Sequence, residues 1–234
     1  MKIAMWSGPR NLSTAMMYSF GNRDDIDAMD EPFYAPYLAT SGIDHPMRAE
    51  ILAHHENDPL HVAAQCSAQP AHHKYMKHMA HHMLDDFRLD WAADCVNIHL
   101  LRHPARVLAS YAAKRDEVNL ADIGYLQQAE VFGKLGGLVI DSSDILSNPD
   151  TALRKLCSEI GLGFDPKMLH WPAGPRTFDG IWARHWYGTA HLSTGFSGAE
   201  GPLPKLPDNL QPILEQALPI YRDLSDRVVR LVAN

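Results

Sequence analysis

"KIAMWSGPRNLSTAMMYSF", residues 2–20, decides the architecture. Its apolar opening, residues 2–6, reads as a buried strand. Small residues and a proline then turn the chain. The spacing predicts a helix over 13–21, opening on the hydroxyl residues Ser13 and Thr14. Strand, tight turn and helix in that order form the first unit of an α/β sheet. In open sheets of this kind, ligands sit at the carboxyl ends of the strands. Free backbone N–H groups and the helix dipole there favour an anion. Arg10 lies in the turn and carries a fixed fork of donors for a phosphate. A competing reading makes Ser13 or Thr14 an N-cap and Arg10 a surface charge. The stretch is not the triphosphate loop G-x-x-x-x-G-K-[ST], because the second Gly and the Lys are missing. That weighs against an ATPase or a small-molecule kinase.

Further along, strands and helices alternate. Residues 26–29 read as a weak strand, 46–56 as a helix and 57–72 as a loop. "HKYMK" (73–77) reads as a strand followed by a helix through about residue 87. "CVNIHLL" (95–101) is the clearest strand after the first. Pro104 suits the first turn of a helix. A long helix is expected over 120–133, a strand at 135–141, an amphipathic helix at 148–162 and a last helix over 208–232. Residues 171–207 hold many Gly, Pro, Trp and His without a period, and irregular chain of that length is more often functional than idle. Trp171, Phe178, Trp182, Trp186 and Tyr187 in it serve as core or roof an adenine or an acceptor. The alternation indicates a three-layer α/β/α architecture with a central, mostly parallel sheet. One domain over 1–234 is expected.

Composition narrows the function. Of 234 residues, 46% are hydrophobic and the formal charge is −7, so a general nucleic-acid binder is disfavoured. Cys66, Cys95 and Cys157 are odd in number and far apart, which reads as reduced thiols in a cytoplasmic protein. The run after Lys2 is too short for a signal-peptide core, and no segment approaches a membrane span.

A second stretch, "NIHLLRHPARVLASYAAK" (97–114), pairs with the first. Arg102 ends a buried strand, and Ser110 lies eight residues on, in the second turn of the next helix. Together they would hold a second phosphate beside the first.

With both stretches in view, the chain resembles the sulfotransferase family that uses 3′-phosphoadenosine 5′-phosphosulfate. "SGPRNLST" looks like the family's 5′-phosphosulfate loop in an Arg version. "RHPARVLASY" matches its R-x-P motif with a Ser eight residues after the Arg, which grips the 3′-phosphate. Weaker likenesses are "LVIDSSDILSNPDTALRKLCSEIGLGFDPKML" and the final "ALPIYRDL". The resemblance runs from residue 2 to about 230 and is thinnest over 40–90.

The resemblance implies a P-loop-like sulfotransferase fold and a sulfuryl donor held by Arg10, Asn11, Leu12, Ser13 and Thr14 at one end. Arg102 and Ser110 would hold the other end, with Arg10 neutralising charge on the bridging oxygen. "STGFSGAEGPLPK" (193–205) is a loose counterpart of the family's Gly-rich loop and adds Gly195 and Lys205. The donor's 5′ group is no triphosphate, so no metal is needed to bridge phosphates. The acceptor is a hydroxyl or amine on a small molecule, carbohydrate or lipid. Glu31 in "MDEPFY" (29–34) resembles the base of the carbohydrate and lipid branches. Cytosolic branches place a His two residues after a Lys; after Lys77 that position is Met79, with His78 and His81 out of register. The base is therefore Glu31, His81 or His78.

His78 and His82 are four residues apart, as a helical metal pair would be, yet no H-E-x-x-H and no further ligand at matching spacing accompanies them. A catalytically inactive nucleotide-binding protein of the same fold, and a small-molecule kinase, are the alternative functions.

Overall fold

Strand β1 (Lys2–Ser7) is buried along its whole length. Ile3 and Met5 enter one apolar cluster, with Met16, Met17 and Phe20 of α1 (Ser13–Gly21). Ala4 and Trp6, on the opposite face, enter another, with Val62 and Cys66. Alternate side chains thus feed two layers, which is why the strand is apolar throughout rather than alternating. The computed structural model describes residues 1–113 and 118–232, so Lys114 at the end of the second stretch lies outside it.

The chain continues through β2 (Ile26–Asp30), α2 (Tyr34–Ser41), α3 (Arg48–His54), α4 (Pro59–Ser67), β3 (His73–Met79), β4 (Val96–Leu101), α5 (Pro104–Ala112) and α6 (Tyr125–Leu135). It ends with β5 (Leu138–Asp141), α7 (Ser142–Ser147), α8 (Pro149–Glu159), the one-turn helices α9 (Ala183–Trp186) and α10 (Gly188–His191), and α11 (Gln211–Ser225). The sheet has five strands in the order β2-β3-β1-β4-β5, and every pairing is parallel. β2 and β3 lie on one side of β1, with β3 inserted between β1 and the edge strand β2, and the chain then crosses to β4 and β5 on the other side. The topological switch point therefore lies at the carboxyl end of β1, where a crevice opens. Among the described residues no helix is long and apolar enough to cross a membrane.

The structure corrects several expectations. Residues 57–72 are not all loop: α4 forms because Asp58 caps it, accepting from Leu60 N at 2.8 Å, and Pro59 occupies the first turn. The helix expected after 77 is absent. β3 continues to Met79, a single 3₁₀ turn covers Ala80–His82, and Met83 and Phe87, four residues apart as on a helix face, are buried in the second cluster from irregular chain. His78 and His82 therefore do not share a helix face. The long helix of 120–133 splits into a 3₁₀ turn, Ala121–Ile123, and α6, with Gly124 at positive φ between them. The last helix ends at Ser225.

Candidate active site

The crevice above β1 is a cavity of about 1050 Å³. Its floor begins with the chain leaving β1. A Cβ on Gly8 would stand 2.3 Å from the Ile123 carbonyl oxygen, so only glycine lets the loop pass there. Arg10 and Leu12 then take left-handed conformations, φ 62° and 69°. Side-chained residues pay for that geometry in strain, and such strain gathers at functional sites. Leu12 precedes α1 without a side-chain cap, so the cap reading of Ser13 and Thr14 does not hold and the first N–H groups of the helix keep their affinity for an anion. Asn11 is buried and donates from Nδ2 to Leu100 O at 3.2 Å, which pins the loop to β4.

That pinning joins the two motifs. Arg10 Nε donates to Ser110 Oγ at 2.8 Å, and Arg102 donates from Nη1 to Arg10 O at 2.7 Å. Gln128, fully buried on α6, donates to both Trp6 O and Leu100 O, at 3.2 and 3.1 Å. Tyr125 OH donates to Arg102 O. The guanidinium of Arg10 is held below its ordinary range by burial and by the nearby charge of Arg102. Two half-buried cations facing each other form a site that an anion relieves. Two further groups lie at this site: the Glu200 carboxylate accepts from Arg102 and also pairs with Arg106.

Across the cavity, β2 ends at the sheet edge on Asp30 and Glu31 follows. Glu31 adopts φ 40°, with its N–H on Lys77 O at 2.9 Å and its carbonyl taken by Tyr34 N at 2.9 Å. Lys77 is fully buried beneath it and donates to Asp30 Oδ1 at 3.1 Å, to Glu31 Oε1 and to Tyr187 OH at 2.5 Å. Tyr187 OH donates to Asp30 at 2.7 Å, and Gly180 N donates to the same carboxylate at 3.0 Å. Two buried carboxylates thus share one ammonium. Burial raises the pKa of Glu31, Lys77 opposes the rise and the neighbouring Asp30 adds to it. For Lys77, burial alone would lower the pKa, but Asp30 and Glu31 raise it, so the ammonium stays charged. A carboxylate in that position is poised to accept a proton.

The histidines separate by face. Lys77 and Met79 reach the cavity, while His78 points away and stacks on Trp6 at 4.4 Å between ring centroids. His78 is sealed, burial pushes it down to about 3, and neither ring nitrogen has a partner among the described residues. His81 lines the cavity, also kept neutral by burial. His82 lies between Tyr34 and Tyr37, with centroids at 4.5 and 4.9 Å, and its Nδ1 is 3.9 Å from Glu31 Oε2.

One cavity therefore receives Arg10, Asn11, Leu12, Ser13, Thr14, Glu31, His81, Arg102, Ser110 and Gly195. Lys205 is exposed and lies outside the residues that line it. Of the aromatic residues between 171 and 187, Trp186 and Tyr187 reach the cavity, whereas Trp171 and Trp182 are core. Among the described residues no group of three or more His, Cys, Asp or Glu is placed to hold a metal ion. Sequence reasoning named Tyr187 only as a core or roofing aromatic, not as a partner of Lys77 and Asp30, and it missed Asp30, Gln128, Arg106 and Glu200. Asp30 was signalled by its place beside Glu31 and Arg106 by its place four residues after Arg102; Gln128 and Glu200 left no local trace.

A family model described as "Sulfotransferase domain" matches residues 1–228. Two Arabidopsis thaliana proteins are similar. Branched-chain-amino-acid aminotransferase-like protein 2 is 34% identical over 229 residues, and protein 1 is 33% identical over 233 residues. These matches cover 95% and 97% of this chain but only 41% and 42% of those relatives. The chain thus spans about two fifths of their length. Among solved structures, the Sulfotransferase Domain from the Curacin Biosynthetic Pathway superposes with a TM-score of 0.57 at 15% identity, covering 97% of this chain and 98% of that one. The Sulfotransferase Domain from the Synechococcus PCC 7002 Olefin Synthase gives 0.52 at 18% identity, covering 96% and 94%.

Proposed function

Because the chain belongs to the sulfotransferase domain family, we propose that it moves a sulfuryl group from 3′-phosphoadenosine 5′-phosphosulfate to a hydroxyl or amine acceptor by in-line displacement. What carries this reading is the meeting of the two anion motifs with Glu31 in one cavity, joined through the Arg10–Ser110 hydrogen bond. The residues suit the donor. A carboxylate, Glu200, already lies between Arg102 and Arg106, so that corner accepts an oxyanion.

In this mechanism the first-turn N–H groups of α1 hold the 5′-phosphate, and Arg102 and Ser110 hold the 3′-phosphate. Arg10 lies between them, where charge builds on the bridging oxygen as its bond to sulfur breaks and it keeps the electron pair. Transfers of this kind pass through loose, charge-rich transition states, so positioning and electrostatics do most of the catalysis. Glu31 takes the proton of the acceptor as the new bond to sulfur forms. Lys77 and Asp30 hold Glu31 in register. His81, neutral and on the same wall, is left to hydrogen-bond the acceptor. The acceptor is a small molecule, sugar or lipid. The aminotransferase-like name belongs to relatives more than twice the matched length and is not carried to this chain.

The test is isothermal titration with adenosine 3′,5′-bisphosphate, without added metal, on the wild type and on Arg10→Ala. Micromolar binding that falls in the variant supports the site and justifies an acceptor screen. No binding at millimolar ligand overturns the reading, and ATP with Mg²⁺ is then the next titrant.

A further inference from the structure

Glu200 comes from the irregular segment that precedes α11 and reaches back to the start of α5 across 98 residues of chain. Its Oε1 accepts from Arg102 Nε at 3.1 Å and from Arg102 Nη2, and its Oε2 lies 3.1 Å from Arg106 Nε. Arg106 also donates from Nη2 to Gly201 O. The carboxylate is only 11% exposed, against 23% and 18% for the two arginine side chains. Arg102 precedes the first turn of α5 and Arg106 lies in it, so the two forks converge on one point. That point also receives the favourable end of the helix dipole. An arginine pair closed on a carboxylate in this way has the geometry for a phosphate, because both are oxyanions that take paired N–H donors.

We propose that Glu200 is an intramolecular occupant of the 3′-phosphate position and that Arg106 is the second arginine of that position. This inference rests on the nucleotide reading above and deepens it. In the structure Arg102 spends one fork on Glu200 and the remaining nitrogen on Arg10 O. A 3′-phosphate brings roughly twice the charge of the carboxylate and three acceptor oxygens. It displaces Glu200 from both arginines, and the segment carrying Gly195 and Glu200 moves with it. Apparent affinity for the nucleotide is lowered by the fraction of molecules in which Glu200 holds the position. A nucleotide without a 3′-phosphate has no reason to displace it. The contact thus lowers affinity for a ligand carrying the second anion and leaves that for a monophosphate unchanged, so it narrows the difference between the two and keeps the nucleotide readily released.

Calorimetric titration of wild type and Glu200→Gln tests this, with adenosine 3′,5′-bisphosphate and adenosine 5′-phosphate as probes. Glu200→Gln is expected to tighten the bisphosphate about tenfold, within the ordinary range of coupling between competing contacts, and to leave the monophosphate within twofold. In the Glu200→Gln background, Arg106→Ala is expected to weaken the bisphosphate about tenfold and the monophosphate little. Thermal melts of each protein with and without bisphosphate report folding and give a second reading of the ligand shift. Unchanged or weaker bisphosphate binding in a folded Glu200→Gln protein overturns the proposal while the nucleotide site stands. Equal tightening of both probes also overturns it. If folded wild type and Glu200→Gln both fail to bind the bisphosphate, the nucleotide reading itself falls, and this inference with it.

Discussion

Arg10 Nε donates to Ser110 Oγ at 2.8 Å and so ties the first strand–helix turn to the helix that follows β4. The two residues are 100 positions apart, and each belongs to a motif that means little alone. Their contact makes one binding surface of two loops. Removing Arg10 deletes a charged donor, whereas removing Ser110 deletes a neutral partner. Arg10→Ala is expected to weaken adenosine 3′,5′-bisphosphate about a hundredfold and Ser110→Ala about tenfold, since hydrogen bonds to charged groups are worth about twice neutral ones. Calorimetric titration of both variants checks the order, and the reverse order would remove Arg10 from the centre of the site.

The base is expected to set the acid limb of turnover. Burial raises the Glu31 pKa, so that limb lies above the usual carboxylate range, and activity grows as pH rises through it. Lys77 opposes the rise, so Lys77→Met moves the limb to still higher pH. Glu31→Gln is expected to lower turnover at least about a hundredfold while bisphosphate affinity stays within twofold. A pH–rate profile with any acceptor that turns over, or a carbon NMR titration of the Glu31 carboxyl, reads the shift. A limb that Lys77→Met leaves in place would take Glu31 out of the role.

Tyr187 is the post on which this cluster leans. Its hydroxyl accepts from Lys77 and donates to Asp30, at 2.5 and 2.7 Å, and the residue is buried. Tyr187→Phe keeps the ring and leaves buried polar groups short of a partner. The expected loss is about 1–3 kcal/mol, measured as a lower urea midpoint with an unchanged slope. An unaltered midpoint would mean that Lys77 and Asp30 satisfy each other without it.

His78 makes stability depend on pH. Its folded pKa, about 3, lies below the ordinary 6.5, so the unfolded chain binds the proton first. Its contribution is fully present above pH 6.5 and is lost as pH falls towards 3, by up to about 1.4 kcal/mol per unit. His78→Phe keeps an aromatic ring beside Trp6, Trp91 and Phe33 and removes both unpartnered nitrogens. The variant is expected to be more stable than wild type at pH 7 by about 1 kcal/mol, and by more at pH 5. Urea denaturation at the two pH values measures the difference. The same gain at both would show that His78 does not titrate with unfolding.

Local pattern was enough for the parts of this protein built from neighbours in sequence. The apolar run of β1, the turn through Arg10 and a helix opening at Ser13 follow from residues within one another's reach. So do Pro104 at the start of α5 and Ser110 two turns on. Even the helix missed at Pro59–Ser67 carried its signal locally, in the Asp58 cap. Strand order, and what the loops lay over the strand ends, was beyond that reach. β3 alternates, and only its pairing beside β1 decides that Lys77 faces the cavity while His78 meets Trp6. Glu31 gains its buried ammonium from residue 77, its tyrosine from residue 187, and Arg102 its carboxylate from residue 200. Periodicity, caps and turns are short-range and leave a trace in the sequence; the charge balance of a buried site depends on groups far apart in the chain, and desolvation acts on them only once the fold has brought them together.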